Sequence, residues 1–255
     1  MFPDRASGAA VRRVYDEWHA RAESPDAVAN TPWHELLFRH LDPARDIAGR
    51  RVLEIGCGRG ELAARFADIE APPGLYVAAD FASAALGYAR RRARATRHAC
   101  MLQYAVADMQ AIGLDSNTFD TVISCETIEH LPAPVSALRE IHRVLKPGGR
   151  LFLTTPNYLG VFGAYRIYLR ATGRRYTEGG QPICRVTSLP RTLGWMRRAG
   201  LRILAVDADG HYALRPGRVP ARRAYPRWLS RILWPFGLHS IVIAERPYEA
   251  RAAGV

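Results

Sequence analysis

Between Arg51 and Leu62 the chain reads Arg-Val-Leu-Glu-Ile-Gly-Cys-Gly-Arg-Gly-Glu-Leu, a short apolar run that passes through three alternating glycines, Gly56, Gly58 and Gly60, into a helical pattern. Glycines at such a turn let the backbone approach a ligand and adopt conformations a side chain forbids, and the next helix offers unpaired N–H groups to an anion. That is the chemistry of a nucleotide cofactor. In the dinucleotide fingerprint the third glycine follows the second by three residues, whereas here it follows by two, and Glu54 stands two residues ahead of the first.

Two further acids close apolar runs. Asp80 ends Leu75-Tyr76-Val77-Ala78-Ala79, and Asp108 follows Ala105-Val106-Ala107 and precedes Met109. An acid at the first position can accept both hydroxyls of a ribose. At the second, a carboxylate can take an exocyclic amine while Met109 faces a purine ring. Either acid alone reads equally as a helix N-cap, and Asp80 lies about 20 residues beyond the glycines, where an NAD site also keeps an acid. Taken jointly, at successive strand ends, they suit a ligand. Further on, Cys125-Glu126-Thr127-Ile128-Glu129-His130 holds two carboxylates and an imidazole within five residues. Such a group can orient an acceptor, abstract a proton or hold a divalent ion such as Mg2+.

Positioning these groups requires a scaffold that the hydrophobic pattern supplies. Alternating elements are predicted at 51–56 (strand), 60–69 (helix), 75–80 (strand), 82–97 (helix), 101–106 and 119–124 (strands), 133–145 (helix) and 150–154 (strand). This predicts an α/β fold, a parallel sheet with helices on both faces that binds ligands at the carboxyl ends of its strands. Ahead of it, apolar spacing predicts a helix over 9–23 and a second one starting at Pro32 with Thr31 as N-cap. The expected division is an N-terminal helical cap over 1–44 and a main domain over 45–255. Later come a helix over 188–199 closed by Gly200 and strands over 201–206 and 239–245.

The connection at about 210–237 is long for a loop and is rich in arginine and aromatic residues. Trp228, Leu229, Ile232, Leu233 and Trp234 among Arg222, Arg223, Arg227 and Arg231 suit an amphipathic helix on an anionic membrane surface, or a lid packed on the domain. The apolar stretch 159–170 suits the wall of an aromatic or lipidic acceptor pocket or a buried helix, and its spacing favours the helix.

Motif by motif over residues 45–160, the chain resembles the class I S-adenosylmethionine-dependent methyltransferases. The likeness rests on Glu54 to Gly60, Asp80, Ala107-Asp108-Met109, Phe119-Asp120-Thr121-Val122-Ile123 and Leu145-Lys146-Pro147-Gly148-Gly149-Arg150-Leu151. NAD accounts for neither Glu54 nor the last of these. The resemblance implies a Rossmann-like, seven-stranded, mostly parallel sheet whose last strand, 239–245, inserts antiparallel between the fifth and sixth. It implies S-adenosyl-L-methionine as cofactor, bound by Glu54, Gly56, Cys57, Gly58, Gly60, Asp80, Phe81, Asp108, Met109 and Cys125. The Glu-x-x-Glu-His spacing resembles that of ubiquinone-biosynthesis O-methyltransferases and small-RNA 2′-O-methyltransferases, where these positions are linked to a divalent metal. Glu126, Glu129 and His130 are therefore candidate ligands, with His211 as a further one. In metal-independent relatives a similar run shapes the loop instead. His130 is the first candidate base and His211 the second, with Glu129 as a further catalytic candidate.

Bulk properties narrow the classes. The 255 residues are 48% hydrophobic, enough for a packed core, and 36 basic against 24 acidic residues leave a net charge of +12. All the basic residues but Lys146 are arginines, a compositional habit as much as a sign of an anionic partner. Cys57, Cys100, Cys125 and Cys184 form no Cys-x-x-Cys pair, which predicts neither a disulfide framework nor a thiolate zinc site and fits a reducing cytoplasm. No signal core or membrane-spanning run is legible, so membrane contact is expected to be peripheral at most. The expected activity is methyl transfer to a hydroxyl, before an amine, of a small molecule, glycan or lipid-linked acceptor. An RNA methyltransferase is the alternative favoured by charge and by the acidic spacing, but no RNA-binding module is recognisable. A non-catalytic S-adenosylmethionine-binding protein is the alternative from another class.

Overall fold

The computed structural model describes residues 8–21, 31–174, 185–215, 218–222 and 224–248. Cys184, Arg223, residues 22 and 23 of the expected first helix and the side chains of Arg222 and Arg227 lie outside the description. Helices α1 (Gly8–Arg21) and α2 (Pro32–His40) precede β1 (Arg51–Ile55), α3 (Glu61–Phe66), β2 (Leu75–Asp80), α4 (Ser83–Ala93), β3 (Leu102–Val106) and β4 (Phe119–Cys125). After α5 (Pro134–Val144), β5 (Leu145–Pro156), α6 (Val161–Ala171), α7 (Leu189–Arg198) and β6 (Arg202–Asp209) come the short strands β7 (Tyr212–Arg215) and β8 (Arg218–Arg222), α8 (Arg227–Leu233) and β9 (His239–Glu245).

Seven strands form one sheet in the order β3-β2-β1-β4-β5-β9-β6. Neighbours pair in parallel except β9, which runs antiparallel to both β5 and β6. The period of two along each strand divides the core. Leu53, Val77, Val122, Leu151 and Val242 pack on the face covered by α5 and α7. Val52, Tyr76, Ile123, Phe152 and Ile241 pack on the other, with Leu36 and Leu37 of α2, Leu62 and Phe66 of α3 and Leu86 of α4. Both faces are buried, which is why these strands read as near-continuous apolar runs. The strand order reverses between β1 and β4, and the crevice at such a reversal is where an open parallel sheet binds its ligand.

Several boundaries differ from expectation. α4 stops at Ala93 because the Thr96 hydroxyl and backbone N–H both bond the Ala93 carbonyl, at 2.7 and 3.0 Å, and so close a turn. α3 ends at Phe66, and β5 begins directly at Leu145 instead of at 150. The stretch 159–170 does contain a helix, α6, but not a buried one. Phe162 and Leu169 are buried, whereas Ile167 is 73% exposed. The 210–237 connection is not one helix. β7 and β8 form an antiparallel hairpin, followed by α8 and a 3-10 turn at Trp234–Phe236. Asn157, fully buried at the end of β5, ties this segment down: its amide donates to the carbonyls of Pro235 (2.7 Å) and Gly237 (3.0 Å), and its oxygen accepts from Leu189 N–H (3.1 Å).

Candidate active site

A cavity of about 950 Å³ opens at the strand-order reversal. Of the residues singled out from sequence, Glu54, Gly56, Cys57, Gly58, Asp80, Phe81, Asp108, Met109, Cys125, Glu126 and His130 line it. Gly60 and Glu129 stand just behind its wall, and His211 lies elsewhere.

The loop after β1 is a left-handed turn at each glycine. At Gly56 a Cβ would fall 2.3 Å from Thr127 Oγ1, and at Gly60 2.6 Å from the Cβ of Ala89 in α4, so packing alone requires glycine at both. Gly58 differs: a Cβ there meets nothing closer than His19 Cε1 at 4.0 Å. The missing side chain leaves backbone open to the cavity, as a cofactor lying across the loop requires. Asp80 shapes the loop by accepting Gly58 N–H through Oδ2 (2.8 Å) and Ala82 N–H through Oδ1 (2.9 Å). It is not the N-cap of α4. That helix start is met by Asp16 of α1, whose Oδ1 accepts Ala84 N–H at 2.9 Å. Asp108 accepts Gln110 N–H at 2.8 Å beside the buried Met109.

Glu54 is buried, and the Tyr76 hydroxyl donates to its Oε2 at 2.8 Å. Burial raises its pKa to about 8, and the Tyr76 hydrogen bond offsets this only in part. Since the ordinary value is 4.5, the folded protein holds a proton between those two pH values that the unfolded chain has released. Stability therefore falls as pH rises through that window, by at most ~1.4 kcal/mol per pH unit from this group. Glu54→Gln is expected to flatten the decline of Tm between those limits. A variant with the wild-type slope would remove Glu54 as its source.

At the other end of the cavity, the chain after β4 turns sharply. Glu126 has φ of +48°, uncommon for a residue with a side chain, and its N–H bonds Thr154 O at 3.1 Å. The turn aims its carboxylate at His239, the first residue of β9, whose Nδ1 is 3.9 Å from Glu126 Oε2. Gly210, at φ of +80°, makes room for that imidazole, because a Cβ there would be 3.0 Å from His239 Cδ2. A 3-10 turn at Ile128–His130 carries Glu129 the opposite way, into the sheet. Glu129 has no exposed surface. Thr155 Oγ1 donates to its Oε2 at 3.0 Å, and its Oε1 is 3.7 Å from His130 Nε2. Arg185 fastens this loop, donating from its side chain to Pro132 O (2.7 Å) and from its backbone N–H to Glu129 O (2.9 Å).

Two expectations are corrected here. Glu126, Glu129 and His130 do not converge as a metal cage: the two carboxylates point to different partners, and no group of three or more His, Cys, Asp or Glu side chains among the described residues could hold an ion. His211 is outside the cavity. It lines a separate recess of about 280 Å³ with Val161, Tyr225, Leu233 and Phe236, its ring 5.7 Å from Tyr225. Sequence reading missed His239, Thr155, Arg185 and two histidines of the N-terminal helices, His19 and His34, which also line the cavity.

Comparisons with known proteins agree with this geometry. Residues 53–153 match a family model described as a methyltransferase domain. The ubiquinone biosynthesis O-methyltransferase of Pseudomonas aeruginosa (strain LESB58) is 34% identical over 182 residues, which cover 68% of this chain and 74% of that protein. Among solved structures, a chain of a Haloferax volcanii complex that contains a methyltransferase activator superposes with a TM-score of 0.66 at 21% identity, over 94% of this chain and 99% of that one. The S-adenosylmethionine-dependent methyltransferase from Mesorhizobium loti gives a TM-score of 0.58 at 17% identity, over 86% of this chain and all of that one. With its glycine loop, two strand-end acids and inserted antiparallel β9, the chain belongs to the class I S-adenosylmethionine-dependent methyltransferases.

Proposed function

We propose that the protein methylates a hydroxyl oxygen of a small or lipid-linked acceptor, with His130 as proton acceptor and Glu129 as the group that orients it. The observation that carries this reading is one continuous cavity with the cofactor acids at the ends of β1 to β3 and an imidazole backed by a buried carboxylate after β4. The P. aeruginosa relative, named as an O-methyltransferase, supports oxygen over nitrogen as the receiving atom.

When bound, S-adenosylmethionine supplies a methyl group on a positively charged sulfur, an electrophile that needs alignment more than activation. On this reading, Gly56 and Gly58 leave the backbone open to the methionine portion. Asp80 holds the ribose, Asp108 and Met109 the adenine, and Glu54, Cys57, Phe81 and Cys125 complete the wall, with Gly60 setting the loop from behind. Alignment in a dry site supplies up to ~7–11 kcal/mol of a barrier. A hydroxyl must also lose its proton, and a positioned base contributes roughly 10²- to 10⁴-fold. Glu129, anchored by Thr155, stands 3.7 Å from the His130 ring as a charge partner, and Tyr15 meets that ring edge-on with centroids 6.1 Å apart. Phe162, Tyr212 and Leu238 wall the side beyond His239, which suits an acceptor with an aromatic or aliphatic portion. Release of S-adenosylhomocysteine with a panel of phenols and alcohols tests this. Turnover with hydroxyl acceptors and none with their methyl ethers is expected, and turnover only with amines would contradict it.

We further propose that α6 and α8 make a peripheral contact with an anionic membrane surface, in a protein whose free Cys57, Cys100 and Cys125 suit a reducing compartment. None of the described helices is long and apolar enough to cross a membrane. Val161 at the start of α6 and Leu233 at the end of α8 line the smaller recess with Phe236, and Ile167 and Tyr168 of α6 and Trp228 and Ile232 of α8 are exposed. Exposed Arg170, Arg174 and Arg231 accompany them, and each cation near an anionic surface contributes ~1 kcal/mol. Co-sedimentation with anionic but not neutral vesicles is expected, weakened by salt and by Trp228→Asp with Ile167→Asp. Equal recovery with and without vesicles would contradict it.

A further inference from the structure

Tyr15 of α1 lines the cavity beside His130, the two rings meeting edge to face at an interplanar angle of 75° with centroids 6.1 Å apart. Its hydroxyl oxygen is buried, so what the residue offers to the cavity and to His130 is its ring. The imidazole needs such a contact. Glu129 Oε1 lies 3.7 Å from His130 Nε2, beyond the length of a hydrogen bond, so the carboxylate attracts the ring without fixing the angle at which it stands.

That angle matters for proton transfer, because the accepting nitrogen must come within hydrogen-bond reach of the acceptor hydroxyl. Rotation of the side chain changes the charge attraction little but swings the second nitrogen, Nδ1, away from its target. An aromatic ring packed against the imidazole resists the rotation, since edge-to-face geometry is directional. α1 is fixed well enough to provide this. Arg12, Asp16 and His19 recur along one side of the helix, and each is tied down. The Arg12 guanidinium lies 4.8 Å over the Phe81 ring, Asp16 Oδ1 accepts Ala84 N–H at 2.9 Å, and the His19 carbonyl oxygen accepts from the Arg59 side chain.

Tyr15 therefore stands between contacts that reach the glycine loop and the segment after β2, while its ring reaches the turn after β4. We infer that Tyr15 is a positioning residue, whose ring holds the His130 imidazole in the orientation that takes the proton. It acts through His130 and not on the cofactor. The inference rests on His130 being the base, as proposed above, and its failure is separable from a failure of that reading.

Two readouts on the full chain test it, with Tyr15→Leu removing the ring and Tyr15→Phe keeping it. The first needs no acceptor. In isotopically labelled protein bound to S-adenosylhomocysteine, three-bond NMR couplings to His130 Cγ report whether the side chain keeps one rotamer. Single-rotamer values are expected for the wild type and Tyr15→Phe, and averaged values for Tyr15→Leu. The second readout is kinetic, with the phenol or alcohol of the panel above that the wild type methylates fastest. Tyr15→Leu is expected to lower kcat by about tenfold, the upper end of what an aromatic pair contributes, while KM and the affinity for S-adenosylhomocysteine stay within about twofold. Retained binding also shows that the variant is folded. Tyr15→Phe is expected to recover most of the loss, and adding Tyr15→Leu to His130→Ala should change kcat by no more than about twofold. Couplings that are the same in wild type and Tyr15→Leu overturn the inference whatever the panel yields. So does a Tyr15→Phe as impaired as Tyr15→Leu, or a loss that falls on S-adenosylhomocysteine affinity. If His130→Ala keeps the wild-type kcat, the base reading fails and this one with it; if His130→Ala is impaired and Tyr15→Leu is not, this inference alone fails.

Discussion

Replacing His130 by alanine is expected to lower kcat by about 10²- to 10⁴-fold while the affinity for S-adenosylhomocysteine stays within about twofold. The separation follows from the architecture. On the proposed reading the cofactor lies at the ends of β1, β2 and β3 and against Cys125, whereas His130 belongs to the turn after β4. The variant should also lose the acid limb of the wild-type kcat/KM profile, since that limb reports protonation of the base. Thr155→Val is the milder companion. It removes the hydroxyl that holds Glu129 at 3.0 Å, so kcat should fall while KM holds, with recovery in Thr155→Ser. His239, 3.9 Å from Glu126, provides the contrasting outcome. If His239→Ala abolishes turnover and His130→Ala does not, the proton goes to the other side of the cavity and the assignment is wrong.

Gly60→Val should disable the protein by a different route. The residue holds φ of +74° at the start of α3, and a Cβ there would lie 2.6 Å from Ala89 Cβ and 2.9 Å from Ala89 Cα. The second contact is with backbone, so α4 must move. A left-handed conformation with a side chain costs ~1–2 kcal/mol and overpacking ~1–3 kcal/mol, together ~2–5 kcal/mol. At ~2–4 °C per kcal/mol for a chain of this size, Tm should fall by about 10 °C. Because α4 follows the Asp80–Ala82 turn, S-adenosylhomocysteine binding should weaken as well. Gly58→Ala separates the two effects. Its nearest neighbour would be 4.0 Å away, so it should lose ligand affinity with little change in Tm beyond the cost of its dihedral angle. Equal stability of wild type and Gly60→Val would show that the loop is looser than the packing implies.

The cavity lining to which the proposed reading assigns the cofactor was legible because its signal is local. Glycines two apart, an acid two residues before them and acids closing two apolar runs are all short-range patterns, and each strand-end acid reaches the cavity by ending its strand. The acceptor half is made from distant segments and read less well. Glu-x-x-Glu-His looks like a convergent set on paper, yet the left-handed backbone at Glu126 and the 3-10 turn at 128–130 send the two carboxylates to opposite partners.

His239 shows what a fuller use of topology would have found. An antiparallel strand between parallel ones presents its first residue, not its last, at their carboxyl ends, and His239 pairs with Pro156, the last residue of β5. Placing 239–245 antiparallel already implied that its leading histidine borders the site. His211, two positions beyond Asp209 at the end of β6, is carried past that edge into the β7–β8 hairpin. His19 and His34 had no comparable signal. Their helices precede the sheet in the chain, and only tertiary packing brings their rings over Gly58 and Glu61.

The most direct measurement of the central claim follows the methyl group itself. The protein is incubated with S-adenosylmethionine carrying an isotopically labelled methyl and with extract fractionated into lipid, RNA and small polar molecules, and the labelled product is analysed by NMR. Label is expected in a methyl group on an ether oxygen of a small or lipid-linked molecule, and is expected to be absent when His130→Ala replaces the wild type. Label on nitrogen, label confined to RNA, or no transfer to any fraction by a protein that binds S-adenosylhomocysteine would contradict it.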